Sequence, residues 1–342
     1  MPGTITLGDF TIPFDEEIFA AHLENQPDLV TNAMLASGAM VEDGYIASLI
    51  ASGGNVYTIP FYGNLADDED DNYDGKTDIT LDTMGAAHQS GVVYGRAHGW
   101  FADDFVADFT TANPLAAIAA RMAKYWQNKR QARLIAITEA VLGISAMSSH
   151  VVTKDAVGAT TLSDTCQEIW GEHKNMVSLA IMHSAVAQSF EDLERVEYLK
   201  YTDPNGVTRD LNIYTVNGIT TIIDDGVPKT AASGSGDSAT PATYTTYLFG
   251  AGAIRHANAP VAHPVFFGRD ELTRGGMEYL GNRFRETIHP NGFSYTLPTV
   301  SGSPVVSPTD AQLGQSNKWA LAYSDAKMIP FAKLITPGHE AE

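Results

Sequence analysis

Hydrophobic positions in residues 115–142 recur at helical spacing, and neither glycine nor proline interrupts them. Leu115, Ile118, Met122 and Trp126 follow one face, and Leu134, Ile135, Val141 and Leu142 cover the far end. Arg121, Lys124, Lys129, Arg130 and Arg133 occupy the rest, with Glu139 the only acid. Asn113 stands where an N-cap belongs and Pro114 where a first helical residue belongs. The pattern predicts one helix over 114–142, about 40 Å long at 1.5 Å per residue. A helix of that length needs a surface to brace against.

Elsewhere the pattern switches to strands. Val56–Tyr62 reads as a strand that Pro60 confines to an edge, and Asp78–Asp82 alternates with period two and reads as its partner. Such a two-stranded ribbon is marginal in water unless it lies on something. Residues 43–53 predict a short helix ended by Gly53-Gly54, and residues 1–30 an extended arm. Val177–Met182 is a buried-strand pattern, with Ser184 as the expected cap of a helix to about Arg195. Leu211–Val216 and Ile219–Ile223 flank Asn217-Gly218, a strong hairpin signal. Residues 229–243, KTAASGSGDSATPAT, offer nothing to bury and are expected to form a mobile exposed loop.

Composition narrows the class. The 342 residues are 44% hydrophobic, enough for a large core. No apolar run is long enough to span a membrane, and MPGTITLGDFTIPFDEE lacks the regions of a signal peptide, so a cytosolic origin is expected. The single cysteine, Cys166, excludes an intrachain disulfide framework and a cysteine-rich zinc site. With 21 basic against 41 acidic residues the net charge is −20. That argues against a protein that coats nucleic acid, and suits either a wall that does not stick to DNA cargo or a salt-tolerant enzyme.

The strongest charge run lies between the first two strands: Asp67, Asp68, Glu69, Asp70, Asp71, Asp74, Asp78 and Asp82, against Lys76 alone. Three readings compete. The run can be a solvated tip that protects an edge from aggregation. It can meet a basic surface on a neighbouring subunit, for which Arg121, Lys124, Arg130 and Arg133 are candidates. It can also be a calcium loop, since Asp70, Asn72, Asp74 and Gly75 match its first positions. Against calcium, Leu81 stands where the bidentate glutamate belongs, and strands flank the loop.

Gly75-Lys76-Thr77 is not a P-loop, because Asp70 replaces the first glycine. His256 and His263 form no metal signature, no GxSxG elbow occurs, and nothing marks Asp103-Asp104 or Asp224-Asp225 as a catalytic dyad. Neither a catalytic residue nor a cofactor is expected.

A resemblance gathers these features. The block RAHGWFADDFVADFTTANPLAAIAARMAKYWQNKRQARLIAITEAVLG resembles the spine region of tailed-phage major capsid proteins. Its carriers are Asp103, Asp104 and Asp108, then Asn113-Pro114 and Tyr125-Trp126. Further similar motifs follow in order: Ile181-Met182-His183-Ser184, Asp224-Asp225-Gly226, Tyr244–Ile254, His289-Pro290-Asn291-Gly292-Phe293 and Asn317-Lys318-Trp319. The resemblance spans roughly residues 28–335.

It implies an α+β chain with the Hong Kong 97-type capsid fold. The implied parts are an N-terminal arm and short helix (1–54), an extended β-hairpin loop (55–98), a peripheral domain (99–165 and 270–342) with spine helix 114–142, and an α/β axial domain (166–269). Residues 319–335 would complete the peripheral sheet. The implied function is a non-enzymatic shell subunit, assembled in the bacterial host cytoplasm through pentamers and hexamers into the virion capsid. Double-stranded DNA would be enclosed without sequence-specific binding and no membrane involved. Portal and decoration proteins would be further partners, and a separate scaffolding protein is expected if Met1 is the native start. The rival expectations are an acidic cytosolic hydrolase and a calcium-dependent binding module.

Overall fold

The computed structural model describes residues 3–338 except 8–9, 15–36, 64–70, 74, 77, 79–80, 82–83, 105–113, 194–195, 203–207, 217, 234–240 and 274. The long helix runs Pro114–Leu142, with the bounds the sequence predicts. The expected cap, Asn113, lies outside the described residues. At the far end the Gly143 N–H returns to the Glu139 carbonyl at 2.9 Å.

Two sheets flank this helix. One is organised around the 14-residue strand Met277–Pro290. Val265–Asp270 pairs with its first half and Ile254–Ala259 with its second, while Tyr94–Asp103 pairs along residues 277–286. Met40–Glu42 adds to Ile254–Ala259 in parallel. Even-numbered residues of the long strand face the helix, so Met122 and Trp126 pack with Val265 and Leu280 in one apolar cluster.

The other sheet has eight strands. Its main path runs Val151–Thr153, Phe331–Pro337, Thr243–Gly250, Val177–Met182, Ile219–Ile223, Thr208–Val216 and Val196–Thr202. Its central strand Val177–Met182 is a nearly continuous apolar run because both faces are covered. The helix 161–170, with Leu162, Cys166, Ile169 and Trp170, buries against one side. The far half of the long helix, with Ile137, Val141 and Leu142, buries against the other. Val216 pairs with Ile219, as the Asn217-Gly218 signal predicts, and Gly218 takes the left-handed φ of 83° that the turn requires.

Three expectations change. Val56–Tyr62 is a strand, but its partner is Ala86–Val92; Asp78 and Leu81 belong to no strand. Tertiary contacts select that register. Tyr57 faces Gly91, where a Cβ would come within 2.2 Å of the ring, so the ring lies across a residue that only glycine can supply. The Tyr57 hydroxyl is 3.0 Å from Thr287 Oγ1, which donates to the Val92 carbonyl at 2.9 Å. Second, Phe331–Pro337 does not join the sheet of the long strand. It pairs with Thr243–Gly250 in the eight-stranded sheet, while Trp319–Leu321 pairs with Phe293–Tyr295. Third, the helix after Val177–Met182 spans Ser184–Asp192, and its cap is His183, whose Nδ1 accepts the Ala185 N–H at 3.1 Å.

The predicted short helix is Gly44–Ala51, capped by the Asp43 carboxylate. Within the predicted arm, Gly3–Leu7 and Phe10–Phe14 form a hairpin. Of the low-complexity stretch, residues 229–233 are exposed at their described positions and 234–240 lie outside the described residues.

Candidate assembly elements

Helix and strand periodicities meet along one line. Trp126, Arg130 and Arg133 advance about 10 Å along the helix, and Asn282, Phe284 and Glu286 about 13 Å along the strand. The Trp126 indole N–H donates to Asn282 Oδ1 at 2.5 Å, and the ring meets Phe284 edge-on. Arg130 Nε donates to Glu286 Oε2 at 3.1 Å, and Arg133 Nη1 to Glu286 Oε1 at 2.7 Å. Arg133 Nε reaches Asp310 Oδ1 at 2.8 Å, and Arg96 Nη2 the same oxygen at 2.6 Å. The Tyr94 ring lies between the Arg96 and Arg133 guanidiniums, at 4.8 and 5.0 Å.

Glu286 is wholly buried. Burial alone would raise its pKa, but His256, Arg130 and Arg133 outweigh it and hold the carboxyl at about 2. His256 Nε2 stands 3.6 Å from Oε2. Tyr94 is pushed well above the ordinary tyrosine range, by burial first and by the neighbouring Glu286 charge second. Farther along, Glu139 receives the Tyr247 hydroxyl at 2.6 Å and Lys333 Nζ at 2.5 Å, both from the eight-stranded sheet. The helix is thus fastened to both sheets by polar contacts as well as by its apolar face.

This arrangement redistributes the cations expected to meet a neighbour. Arg133 is 2% exposed and fully engaged inside its own chain, so it is withdrawn as a subunit contact. Arg130 is committed to Glu286 and partly covered. Both are candidates by charge for a neighbour's acidic loop, although Arg133 lies seven residues beyond Trp126, on the buried side. Arg121 and Lys124 are exposed. Of the acidic candidates, Asp67, Asp68, Glu69, Asp70 and Asp74 lie outside the described residues, and Asp71, Asn72 and Asp78 are exposed.

The hairpin Val56–Tyr62/Ala86–Val92 is anchored at its base. Gln89 is buried, and its Oε1 accepts the Gly292 N–H at 2.9 Å; the Ser90 N–H donates to Ser294 Oγ at 3.1 Å. Phe61 meets Tyr323 edge-on. The base therefore lies on its own chain, which supplies the support that a lone ribbon needs. Beyond the base, exposed apolar groups accumulate: Tyr62, Met84, Tyr73 (91% exposed) and Leu81 (90%).

The odd-numbered face of the long strand points away from the helix. A Cβ on Gly281 would come within 2.4 Å of Phe266 and 2.6 Å of the His98 carbonyl. Phe266 therefore lies flat over glycine, with Arg283 above its ring at 5.3 Å. Tyr279 and Phe101, paired in register, extend the same face and are partly exposed.

Catalytic geometry does not form at the places the residues invite it. Ser184, His183 and Asp225 converge, but hydroxyl and carboxylate both approach Nδ1, at 3.4 and 3.7 Å, which already accepts a backbone N–H. A relay needs its partners on opposite ring nitrogens, so this is a helix cap. Among the described residues no group of three histidine, cysteine, aspartate or glutamate side chains is placed to hold a metal. Among them, too, no helix is long and apolar enough to cross a membrane.

Comparison with known proteins places this geometry. Over 330 residues, spanning 94% of this chain and 95% of the relative, the sequence is 25% identical to the major capsid protein of Bacillus phage SPP1. No family model matches the chain. The structure resembles the capsid of Ralstonia phage GP4 with a TM-score of 0.52 at 9% identity, covering 90% of this chain and 89% of that one. It resembles the Cyanophage Pam1 capsid with a TM-score of 0.51 at 10% identity, covering 84% and 86%. At such identities the likeness is one of fold: this mixed arrangement of helices and strands is the one phage capsid chains adopt.

Proposed function

We propose that this chain, a phage major capsid protein, builds the head of a tailed double-stranded DNA phage by closing pentamers and hexamers into an icosahedral shell. Near end-to-end similarity to a major capsid protein carries the reading, because it covers 94% of the chain. Helix, long strand and eight-stranded sheet, fastened through Glu286 and Glu139, supply a stiff body. The eight-stranded sheet with helix 161–170 is the axial lobe that meets its copies in the rings, and the sheet of the long strand is the peripheral part. Val151–Thr153 and Phe331–Pro337 thereby go with the axial lobe, and Ile254–Ala259 and Val265–Asp270 with the peripheral part, which revises the division at 166–269 expected from the sequence. The hairpin tip crosses to a neighbour, where Tyr62, Tyr73, Leu81 and Met84 find the apolar cover they lack here. Many modest contacts repeated around a closed shell add to a large collective stability without tight pairwise affinity.

A separate scaffolding protein, a portal and a decoration protein complete the proposed set of partners, with assembly in the host cytoplasm. The hydrolase and calcium-module readings have no observation in their favour among the described residues. Deleting residues 64–83 tests the role of the tip. The truncated chain is expected to remain folded, because the base is held by Gln89, Ser90 and Tyr57, yet to form no shells when expressed with its scaffolding protein. Closed shells from that chain would refute the role.

A further inference from the structure

The long helix turns a cationic stripe to solvent. Among its described positions Arg121, Lys124, Asn128, Lys129 and Ala132 are exposed. Arg121, Lys124, Asn128 and Ala132 turn away from the line of Met122, Trp126 and Arg133 that faces the sheet, and Lys129, seven residues after Met122, stands at its flank. Of five cations on the helix, Arg130 and Arg133 are spent on Glu286, leaving these three outside. Lys129 lies over the Tyr125 ring at 5.7 Å and is still exposed. The helix's only acid, Glu139, is engaged by Tyr247 and Lys333. On a chain of net charge −20, a run of three cations without an acid is a local reversal of sign.

Two polyanions could answer it: the acidic hairpin tip of another copy, or a phosphate backbone. The tip also carries Tyr73, Leu81 and Met84, which need an apolar landing. The stripe has no large apolar side chain, whereas the opposite face of the same sheet offers Phe266, Tyr279 and Phe101. Helix face and sheet face are the two sides of one layer, so in a shell they look in opposite directions. The tip therefore matches the aromatic face, and the stripe matches an anion without apolar groups.

We propose that Arg121, Lys124 and Lys129 form a surface that contacts the phosphate backbone of the enclosed duplex, without reading its sequence. This rests on the shell reading for the presence of the duplex, and it moves Arg121 and Lys124 from the subunit contact expected from the sequence to the cargo side. From Arg121 to Lys129 the stripe extends about 12 Å, against one phosphate charge per about 1.7 Å of duplex axis. Three simultaneous phosphate contacts are therefore within reach. They make a weak contact in one subunit and a substantial one when repeated over a shell, on a wall whose remaining charge repels the duplex.

The test uses the full-length chain and a fluorescent 30-base-pair duplex of arbitrary sequence, titrated from 20 to 200 mM salt. The expected dependence of log K on log salt has a slope of about −2.7, from about −0.9 per phosphate contact. The combined Arg121→Gln, Lys124→Gln, Lys129→Gln variant is expected to lose this binding while sedimenting like the wild type in assembly with scaffold. A synthetic peptide of residues 63–85 should not compete. The proposal is overturned if the wild type fails to bind duplex at 20 mM salt, if the variant binds equally well, or if the peptide displaces the duplex from the stripe. It is equally overturned if the variant stops forming shells, because the stripe is then a subunit contact. In each of these cases wild-type shells would leave the capsid reading standing.

Discussion

Replacing Glu286 by glutamine removes one charge from the junction of helix and long strand and leaves its shape. In the folded chain the Glu286 carboxyl is held at about 2, against an ordinary 4.5. Depressing a carboxyl that far corresponds to about 3 kcal/mol of stability, at 1.36 kcal/mol per tenfold change in acidity. Removing one partner of a buried ion pair typically costs about 3–5 kcal/mol. Here the loss belongs at the lower end, since Arg133 keeps Asp310 and Arg130 is partly solvated. A carboxyl with a depressed folded-state pKa stabilises above its ordinary pKa, and that contribution disappears as protons bind. The gap between Glu286→Gln and the wild type is therefore expected to be about 3 kcal/mol at pH 7, and to close as pH falls from 4.5 toward 2. Urea unfolding of the isolated subunit, followed by tryptophan fluorescence at a series of pH values, measures it. A gap below about 1 kcal/mol at pH 7, or one that does not change with pH, would refute the account of this junction.

Other perturbations have equally definite outcomes. Gly281→Ala places a Cβ 2.6 Å from the His98 carbonyl, which is backbone and cannot step aside, so a loss of about 1–3 kcal/mol is expected in the same urea assay; an unchanged midpoint would deny the close approach. Gly91→Ala forces the Tyr57 ring off the hairpin, and hydrogen exchange should quicken at residues 86–92; unchanged protection there would contradict the ring's place across Gly91. His289 is buried, and desolvation, followed by the nearby Arg255 charge, lowers its pKa to about 3. The unfolded chain takes up that proton near 6.5, so stability should fall as pH drops from 6.5 to 3, and His289→Phe should flatten the decline. An identical slope in the variant would place the acid sensitivity elsewhere.

What the sequence made legible depended on whether the cause was local. Residues 114–142 declare their own helix, because the proline at its start and the unbroken run of good helix formers act within the segment. The turn between Val216 and Ile219 is set by its own two residues in the same way. Ala86–Val92 was not legible as a strand. AAHQSGV has little strand propensity, and its pairing is decided by Tyr57 over Gly91 and by Gln89 reaching Gly292. The placement of Phe331–Pro337 failed for a similar reason: its apolar run announces a buried strand, but nothing within it names Thr243–Gly250 as partner. Arg133 could have been found, since a cation seven residues after Trp126 shares its buried face and demands an acid opposite. Glu286, the acid, is 153 residues away, and only the fold brings it there. Ser184 was the expected cap by residue type, but the ring nitrogen of His183 took that place.

The central claim is that this chain closes shells by handing its hairpin tip to a neighbour. The most direct measurement is hydrogen exchange at residues 63–85 in the free subunit and in the fastest-sedimenting assembly, with that fraction imaged by electron microscopy. The account predicts closed shells in the image, rapid exchange at the tip in the free subunit, and strong protection after assembly. A tip already protected in the monomer, or equally unprotected in both states, would contradict it.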